Sequence, residues 1–217
     1  MIRPPGSWRM YWKTLEGLVL WMDFNQCQTI DLSGHGNNGT IYGAQCVQGR
    51  SGKALSFDGS DDYVEVPHSE SLGAKTFVAW FKSNKWAESG GWSPTIVNKY
   101  TDDYNMFRIA FDESAGGRVA ASVKVGGTEV GRFGTGGVSL NEWHHLVVVF
   151  TNSVKIYLDG INITSTNSCS WSRYTIDNKL YIGRRGNGGY FNGIIDEARI
   201  YNRALSEEEI KWLYKHT

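Results

Sequence analysis

The sequence predicts an all-β domain, a sandwich or jelly roll, that ends in one short helix. Short apolar or alternating segments recur along the chain, and turn residues separate them at intervals of about 8–12 residues. The chain has 26 glycines but only 4 prolines, which indicates that glycine and asparagine form most of the turns. No change in composition divides the 217 residues, and we therefore predict an arm or linker over residues 1–16 and a single domain over residues 17–217.

Each strand is predicted from apolar residues that either alternate with polar ones or form a continuous run. Residues 62–66 alternate, whereas residues 76–81 are apolar on both faces and indicate a central strand. Gly-Gly pairs at 116–117 and 126–127 indicate hairpin turns. The predicted strands are 18–24, 40–42, 54–59, 62–66, 76–81, 95–100, 104–111, 118–125, 128–133, 142–150, 154–160, 179–183 and 190–201.

One segment, Ser206–Tyr214, has strong helix signals. Ser206 is suited to the N-cap position, and Glu209 three residues later completes a capping box. The segment also carries apolar residues that can dock on a sheet. Residues 1–16 are aromatic but show no regular pattern, so we expect an irregular linker or an arm that docks on the domain or on a neighbour.

The charge balance argues against a nucleic-acid partner. The 22 Lys+Arg residues equal the 22 Asp+Glu residues, and no basic cluster appears that would bind phosphates. No apolar run of about 18 residues is present, so we expect no membrane insertion. The N-terminus lacks the apolar segment of a secretory signal. The chain either stays inside a cell or has lost its signal, and we favour an extracellular location or the surface of a larger particle, such as a virion.

A glycine-rich loop, residues 31–40, follows the first strong strand. Its glycines, asparagines and aspartate favour either a demanding turn or an oxygen-rich cradle for a hard cation. Cys27 and Cys46 flank the loop and could form a bridge between its two ends. The alternative is that these two cysteines and Cys169 are all free thiols, because the sequence does not supply the geometry of a disulfide.

Several stretches, in the same order over residues 17–214, resemble a laminin-G-like domain of the concanavalin-A-like lectin/glucanase superfamily. They are LVLWMDFN, DLSGHGNNGT, GKALSFDGSDDYVEVP, TFVAWFKS, EWHHLVVVF, VKIYLDG, LYIGRRG and FNGIIDEARIYNRALSEEEI. The resemblance implies a concanavalin-A-like jelly-roll sandwich of two curved antiparallel sheets.

The same resemblance implies a structural Ca²⁺ ion beside the glycine-rich loop. Ca²⁺ takes six to eight oxygen ligands, and acidic residues from distant segments would repel one another without a cation. In the alternative interpretation Asp31 begins an Asx-turn and Asp196 pairs with Arg199 or Arg203. The positions that match the family's ligands are Asp23, Asp31 and Asp196, with Asn38 and the backbone carbonyls near His35 and Thr40.

The sequence gives little support for catalysis, so whether the chain is an enzyme is left open with a preference for a non-enzyme. The paired-carboxylate strand motif of glycosidases in this superfamily is absent. Asp196 and Glu197 are adjacent on a strand and point to opposite faces, so they cannot act as one pair. His144 and His145 begin an apolar strand without a nucleophile motif nearby, and we expect one to point inward and the other outward.

Three functions remain open. The first is a carbohydrate-binding recognition domain, because loop aromatics stack on sugar faces and planar polar groups bind hydroxyls or acidic sugars. The second is a structural or adhesion module that makes protein contacts in a larger assembly, and the third is an atypical polysaccharide hydrolase or lyase. The candidate ligand-binding residues are Trp86, Trp92, Tyr100, Asp102, Tyr104, Trp171, Arg184, Arg185 and Tyr190.

Overall fold

A computed structural model describes residues 6–67, 75–86, 94–102, 105–112, 117–125, 128–151, 153–165, 179–186 and 188–217. Within these ranges the chain forms two antiparallel sheets and two short helices, which confirms the predicted all-β class. No helix in this part of the chain is both long enough and apolar enough to cross a membrane.

The strands are short, and their bounds agree with most of the predicted segments. In chain order they are β1 (Leu18–Met22), β2 (Thr40–Tyr42), β3 (Gln45–Gln48), β4 (Lys53–Asp58), β5 (Tyr63–Val66), β6 (Thr76–Ser83), β7 (Thr95–Asp102), β8 (Asn105–Asp112), β9 (Arg118–Val125), β10 (Thr128–Gly137), β11 (His144–Phe150), β12 (Val154–Leu158), β13 (Ile161–Asn162), β14 (Leu180–Ile182) and β15 (Asn192–Tyr201).

The first sheet has the order β13-β12-β11-β6-β15-β4-β3, and β1 also pairs with β15. The second sheet has the order β10-β9-β8-β7-β14-β5-β2. Side chains from the facing sides of the two sheets form one buried apolar cluster between them, including Leu20, Phe57, Phe81, Phe111 and Ile182. This arrangement is the sandwich that the sequence predicted.

Strands β6 and β11 carry apolar side chains on both faces, and other parts of the chain cover both faces. Their inward side chains join the core between the sheets. On the outer face of the first sheet, Val78 and Val147 pack in a second apolar cluster with Ile210 and Leu213 of the C-terminal helix. The prediction of a central strand at 76–81 is confirmed, since β6 lies between β11 and β15.

Strand β15 changes neighbours along one of its edges. Its first half pairs with β4 and its second half pairs with β1, while β6 pairs with most of its other edge. The register shifts between Asp196 and Arg199, and Glu197 has φ of 55°. A bulge of this kind re-aims side chains, and it places Asp196 at the junction between β4 and β1.

The C-terminal helix, α2 (Glu207–His216), begins as predicted. Ser206 is the N-cap, and the reciprocal hydrogen bonds of the capping box with Glu209 are both present. The prediction that residues 1–16 are irregular is wrong for Gly6–Leu15, which form a helix, α1. Helix α1 contacts α2, and the Tyr11 and Trp212 ring centroids lie 6.1 Å apart.

Arg203 explains how α1 is held. Its Nη2 and Nε atoms donate to the carbonyls of Lys13 and Glu16 at the end of α1, each at 2.7 Å. The same guanidinium pairs with the buried Glu209 carboxylate at 2.6 Å. Helix C-terminal carbonyls lack intrahelical partners, so one side chain satisfies α1 and neutralises a buried acid of α2.

Cys27 and Cys46 form a disulfide with a Cα–Cα distance of 5.4 Å. The bridge joins the segment after β1 to strand β3 across the base of the glycine-rich loop. Of the two alternatives left open for these cysteines, the structure selects the bridge.

Candidate functional site

The glycine-rich loop is organised by Asp31, whose side chain is buried. Asp31 Oδ1 accepts hydrogen bonds from the backbone N–H groups of Trp21 and Ser33, at 3.0 and 2.9 Å, and Oδ2 accepts one from Asn37 at 2.9 Å. The bond to Ser33, two residues on, is an Asx-turn. The carboxylate thus satisfies three donors of the protein itself, as in the alternative interpretation given from the sequence.

The other predicted ligands of the loop also have partners or lie on the surface. Asn38 Oδ1 accepts the backbone N–H of Asp31 at 2.8 Å. His35 is exposed, and its Nδ1 lies 3.2 Å from Ser33 Oγ. Thr40 is the first residue of β2 and pairs with Glu65. These contacts hold the loop in its conformation through hydrogen bonds of the chain itself.

Asp196 differs from the loop residues because it has an unsatisfied oxygen. The residue is 0% exposed, and among the described residues its Oδ1 has no hydrogen-bond partner. Oδ2 accepts the backbone N–H groups of Arg50 and Ser51 at 2.9 and 3.2 Å. Desolvation raises the pKa of Asp196 to about 6. Neither predicted arginine partner, Arg199 or Arg203, bonds to it in the described contacts.

Asp23 is linked by Asn25 to the turn between β3 and β4, whose backbone N–H groups Asp196 also contacts. Asn25 Nδ2 donates to Asp23 Oδ2 at 2.9 Å, and Asn25 Oδ1 accepts the backbone N–H of Lys53 at 3.0 Å. Gly49 closes the turn on the other side, where an added Cβ would lie 2.6 Å from Asp196 Oδ2. Asp23 and Asp196 therefore flank the turn between β3 and β4.

The structure separates the predicted metal ligands into two groups. Among the described residues, the only three acidic, His or Cys side chains with ligand atoms within 4.8 Å of one another are Asp58, Asp61 and Asp62, which were not predicted. The orphaned oxygen of Asp196 fits a cation, and Asp23 lies beside the same turn. Asp23 also accepts two hydrogen bonds, but both come from Asn25, one of them from its side-chain amide. Asp31 and Asn38 fit a cation less well, because the buried Asp31 carboxylate accepts three backbone N–H groups and Asn38 Oδ1 accepts another.

A Ser–His–Asp contact pattern occurs at the start of β11. His144 Nε2 lies 2.8 Å from Ser139 Oγ, His144 Nδ1 lies 2.8 Å from Asp159 Oδ2, and Ser139 Oγ donates to Glu142 at 2.6 Å. The bond to Asp159 raises the pKa of His144, which favours imidazolium. Ser139 Oγ donates its hydrogen bond to Glu142, so it does not donate to His144 Nε2 as the nucleophile of a catalytic triad would.

His145 faces the other side of the sheet. It is fully buried beneath α2 between Trp80 and Tyr214, with ring centroids 5.0 and 5.9 Å away. Desolvation lowers the pKa of His145 to about 3, so the ring is neutral. The prediction that the two histidines point to opposite faces agrees with this arrangement, but the outer one is buried by the helix.

The structure places the predicted ligand-binding residues in different environments. Trp86 donates to the carbonyl of Val138 at 3.1 Å and packs against Gly117, so it closes the edge of the sandwich. Arg185 forms a backbone bridge with Gly188. Tyr100 and Asp102 lie in β7, where only their backbone is described. Trp92, Tyr104 and Trp171 lie outside the described residues.

Arg184 lies in an aromatic patch on the outer face of the second sheet. Its guanidinium carbon is 3.7 Å from the Tyr63 ring centroid and 4.2 Å from that of Tyr181. Tyr42 stacks on Tyr63 with a centroid distance of 4.5 Å and an interplanar angle of 12°. We call Tyr42, Tyr63, Tyr181 and Arg184 the tyrosine–arginine patch.

The patch forms a layered stack. Strand β5 lies between β2 and β14, so Tyr42 of β2 approaches Tyr63 from one side and Arg184, which follows β14, approaches it from the other. Desolvation raises the pKa of Tyr63, while Arg184 lowers it and Tyr42, Glu65 and Tyr190 raise it. The predicted residues Arg184 and Tyr190 are thus both close to Tyr63.

A row of mostly polar residues continues from the patch across the second sheet. Cross-strand pairing places these residues directly opposite one another, in the order Thr40, Glu65, Tyr181, Asn98, Arg108, Ser122 and Gly131.

The sequence prediction did not include Tyr42, Tyr63 and Tyr181, because it considered only aromatic residues in loops as ligand-binding residues. The alternation of Tyr63 and Glu65 with buried Val64 and Val66 was the signal that these side chains face outward.

A cavity of about 220 Å³ lies between α1, α2 and the first sheet. Its polar groups satisfy one another: Glu197 Oε2 accepts from Trp21 Nε1 at 2.9 Å and from Arg199 Nη2 at 2.6 Å. Arg199 also lies 4.7 Å from the Trp21 ring centroid. These contacts indicate a structural ion pair at the place where the helices pack on the first sheet.

Comparison with solved structures shows the same fold in proteins of low sequence identity. Domain 4 of AbnA, a GH43 extracellular arabinanase from Geobacillus stearothermophilus solved in complex with arabinotriose, has a TM-score of 0.74 and 18% identity, over 91% of this chain and 98% of that chain. The binding domain of Paraclostridial Mosquitocidal Protein 1 has a TM-score of 0.73 and 21% identity, over 92% of this chain but 52% of that one.

A third similar structure, from a study of the ganglioside-dependent cell entry of botulinum neurotoxin type C, has a TM-score of 0.70 and 17% identity, over 94% of this chain and 52% of that one. The chain thus spans about half the length of both toxin chains. No curated protein sequence is significantly similar to it. A family model described as the concanavalin A-like lectin/glucanases superfamily matches residues 58–211, and the chain belongs to this laminin-G-like family.

Proposed function

We propose that the chain is a non-catalytic carbohydrate-binding domain and that the tyrosine–arginine patch is its binding surface. The observation that carries the proposal is the stacking of Arg184 on Tyr63 and Tyr181 beside the exposed ring of Tyr42. Aromatic rings present flat apolar faces to sugar rings, and a guanidinium donates hydrogen bonds to sugar oxygens. The patch combines both groups on a rigid sheet.

The similar structures support the same proposal. The arabinanase domain was solved with arabinotriose, and the type C neurotoxin study concerns gangliosides. At below 25% identity these likenesses do not transfer a ligand, but they make a glycan the first class to test. A disulfide is typical of oxidising compartments, which favours an extracellular location or a particle surface.

The experiment is a glycan array followed by titration calorimetry with the strongest ligand. We expect Tyr42→Ala to weaken binding by about 3- to 10-fold, since an aromatic contact contributes about 0.5–1.5 kcal/mol. Trp12→Ala is the matched control, because Trp12 is an exposed aromatic residue of α1. Helix α1 lies on the side of the first sheet, away from the patch on the second sheet. Equal losses in both variants, or binding to no glycan, would reject the patch.

A second candidate function is a structural or adhesion module that binds a protein through α1. Trp8 and Trp12 are 57% and 60% exposed, and their spacing puts them on one side of the helix. Aromatic residues of this kind are enriched at protein interfaces. Sedimentation or size-exclusion of the chain with and without Trp8→Ser/Trp12→Ser tests this function, and an unchanged monomer in both cases counts against self-association.

We also infer that a structural Ca²⁺ binds beside the turn between β3 and β4, with Asp196 and Asp23 as its carboxylate ligands. The support is the buried, unpaired Oδ1 of Asp196 and the link from Asp23 to the same turn. Carboxylate oxygens are preferred ligands of this hard cation. The ion would hold β1, β15 and the turn together and would not contact the glycan.

A further inference from the structure

We propose that the tyrosine–arginine patch selects glycans that carry an anionic group, a carboxylate or a sulfate, and that Arg184 is the residue that binds this group. This inference rests on the proposed carbohydrate-binding function and specifies the ligand class of the same surface. Four properties of the patch support it: the hydrogen bonding of Arg184, its orientation, the local charge and the neighbouring ring.

The first property is that Arg184 has hydrogen-bonding capacity to spare. Its contacts with the described residues are the two ring faces, and its Nε has no hydrogen-bond partner among them. A guanidinium carries five N–H donors. Because the Nε atom of Arg184 is buried, the four N–H groups on Nη1 and Nη2 are the donors that a ligand can use.

The second property is the orientation of the guanidinium. Tyr63 lies against it at 3.7 Å and Tyr181 at 4.2 Å, and the two ring centroids are 6.1 Å apart at an interplanar angle of 71°, so the rings flank the guanidinium on two adjacent sides. A ligand can therefore approach Arg184 only from the sides that the rings leave open, and the N–H groups point outward in the plane of the guanidinium. Edge-on binding by two parallel N–H donors is the arrangement that a carboxylate or a sulfate oxygen pair accepts best.

The third property is the local charge. Glu65, directly across from Tyr181, is paired with Lys179 at 2.7 Å, and no ion pair among the described residues includes Arg184. The ion pair is neutral, and Arg184 contributes one further positive charge beside Tyr63. A neutral sugar would leave this charge unpaired, whereas an anionic sugar would neutralise it.

The fourth property is that the stack holds Arg184 in place before a ligand binds. Two ring contacts restrict the long side chain, so less conformational entropy is lost when the anion is bound. Tyr42, 42% exposed at the end of the stack, offers an apolar ring next to the charged position. One sugar residue can then contact the ring while its acidic substituent, or that of its neighbour, reaches the guanidinium.

The test compares matched ligand pairs that differ only in charge. The probes are oligogalacturonate against its methyl ester, sialyllactose against lactose, and a sulfated galactan oligosaccharide against the unsulfated one. Each is titrated into the wild-type chain and into Arg184→Met, Arg185→Met and Tyr42→Ala. Arg185→Met is the matched control, since it removes the neighbouring positive charge and leaves the stack intact.

We expect the wild type to bind at least one anionic ligand at least about 10-fold more tightly than its neutral partner. The reason is that hydrogen bonds to a charged group are stronger than those between neutral groups. Arg184→Met should abolish this preference, Arg185→Met should retain it, and Tyr42→Ala should weaken both members equally. The carboxylate and sulfate pairs show which anion the surface accepts. High salt should weaken the anionic ligand more than the neutral one.

Other outcomes overturn one proposal or both. If neutral and anionic members bind equally well and Tyr42→Ala weakens both, carbohydrate binding stands and the anionic preference is rejected. If the preference survives Arg184→Met, Arg184 is not the residue responsible. If no glycan binds to a folded wild-type chain, the carbohydrate-binding function is rejected together with the preference.

Discussion

The Nδ1 atom of His144 lies 2.8 Å from Asp159 Oδ2, and this contact ties the start of β11 to the turn after β12. Asp159 Oδ1 also accepts the backbone N–H of His145 at 2.8 Å. The hydrogen bond raises the pKa of His144. Desolvation raises the pKa of Asp159, but the bonds from His144 and His145 lower it by more.

The first prediction concerns alkaline conditions. A histidine whose folded pKa is raised stabilises the fold fully below its unfolded pKa of about 6.5, and this contribution is lost as pH rises through the folded pKa. His144→Gln should therefore cost about 1.5–3 kcal/mol in mildly acidic buffer and clearly less at alkaline pH. Urea unfolding of both proteins across this range measures the difference, and a pH-independent difference would contradict the assignment.

The second prediction has the opposite sign and concerns the adjacent residue. His145 is buried and neutral, with a pKa lowered to about 3. Because the unfolded chain binds a proton near pH 6.5 and the folded chain does not, stability falls as pH decreases from there, with a slope of up to about 1.4 kcal/mol per pH unit. His145→Met should remove this slope. If the acid-side slopes of variant and wild type coincide, the ring is not held neutral.

The third prediction concerns the link between the two helices. Arg203→Met removes the partner of the buried Glu209 and also removes the two hydrogen bonds to the carbonyls of Lys13 and Glu16 at the end of α1. An unpaired buried charge costs about 3–5 kcal/mol, so we expect a loss of that size in urea unfolding. Arg203→Met/Glu209→Gln is the control, since it removes the charge as well and should recover part of the loss. No recovery would mean that the α1 carbonyls, not the ion pair, carry the cost.

The fourth prediction concerns the disulfide. Cys27→Ser/Cys46→Ser opens a bridge between residues that are 19 apart in sequence. Bridges closing loops of this size typically contribute about 2–4 kcal/mol, so the melting temperature should fall. Cys169→Ser removes the third thiol and serves as the control. A melting temperature that is unchanged by the double substitution and by reductant would contradict the bridge.

The fifth prediction tests the calcium site at Asp196. With chelator present, Asp196→Asn should be as stable as the wild type or more stable at neutral pH, because ionising a buried carboxyl with a pKa of about 6 is unfavourable. Added Ca²⁺ should raise the melting temperature of the wild type only. A rise of equal size in both proteins, or in neither, would reject Asp196 as a ligand.

Local signals in the sequence were sufficient for most of the fold. Alternation located strands such as β5, and the Ser206 and Glu209 pair located the start of α2. The α1 helix was missed because its stability depends on contacts with α2 and Arg203 that lie about 190 residues away in the chain. Local propensity contains no information about such partners.

The candidate site was only partly predictable for a similar reason. The composition of the glycine-rich loop fits both a turn and a cation site, and only the hydrogen bonds of Asp31 distinguish them. Arg184 was identified from its chemistry, but its partners Tyr63 and Tyr181 belong to strands β5 and β14, which are adjacent only in the sheet. Register across strands is a tertiary property that the residue pattern does not determine.

The placement of the two helices on the outer face of the first sheet has a consequence for engineering the chain. The tyrosine–arginine patch lies on the outer face of the second sheet, so the buried core separates it from α1, α2 and Arg203. Free-energy effects of substitutions at distant sites without shared partners are usually additive. Stabilising changes around the helices can therefore be combined with a redesigned ligand surface, each optimised in a separate library.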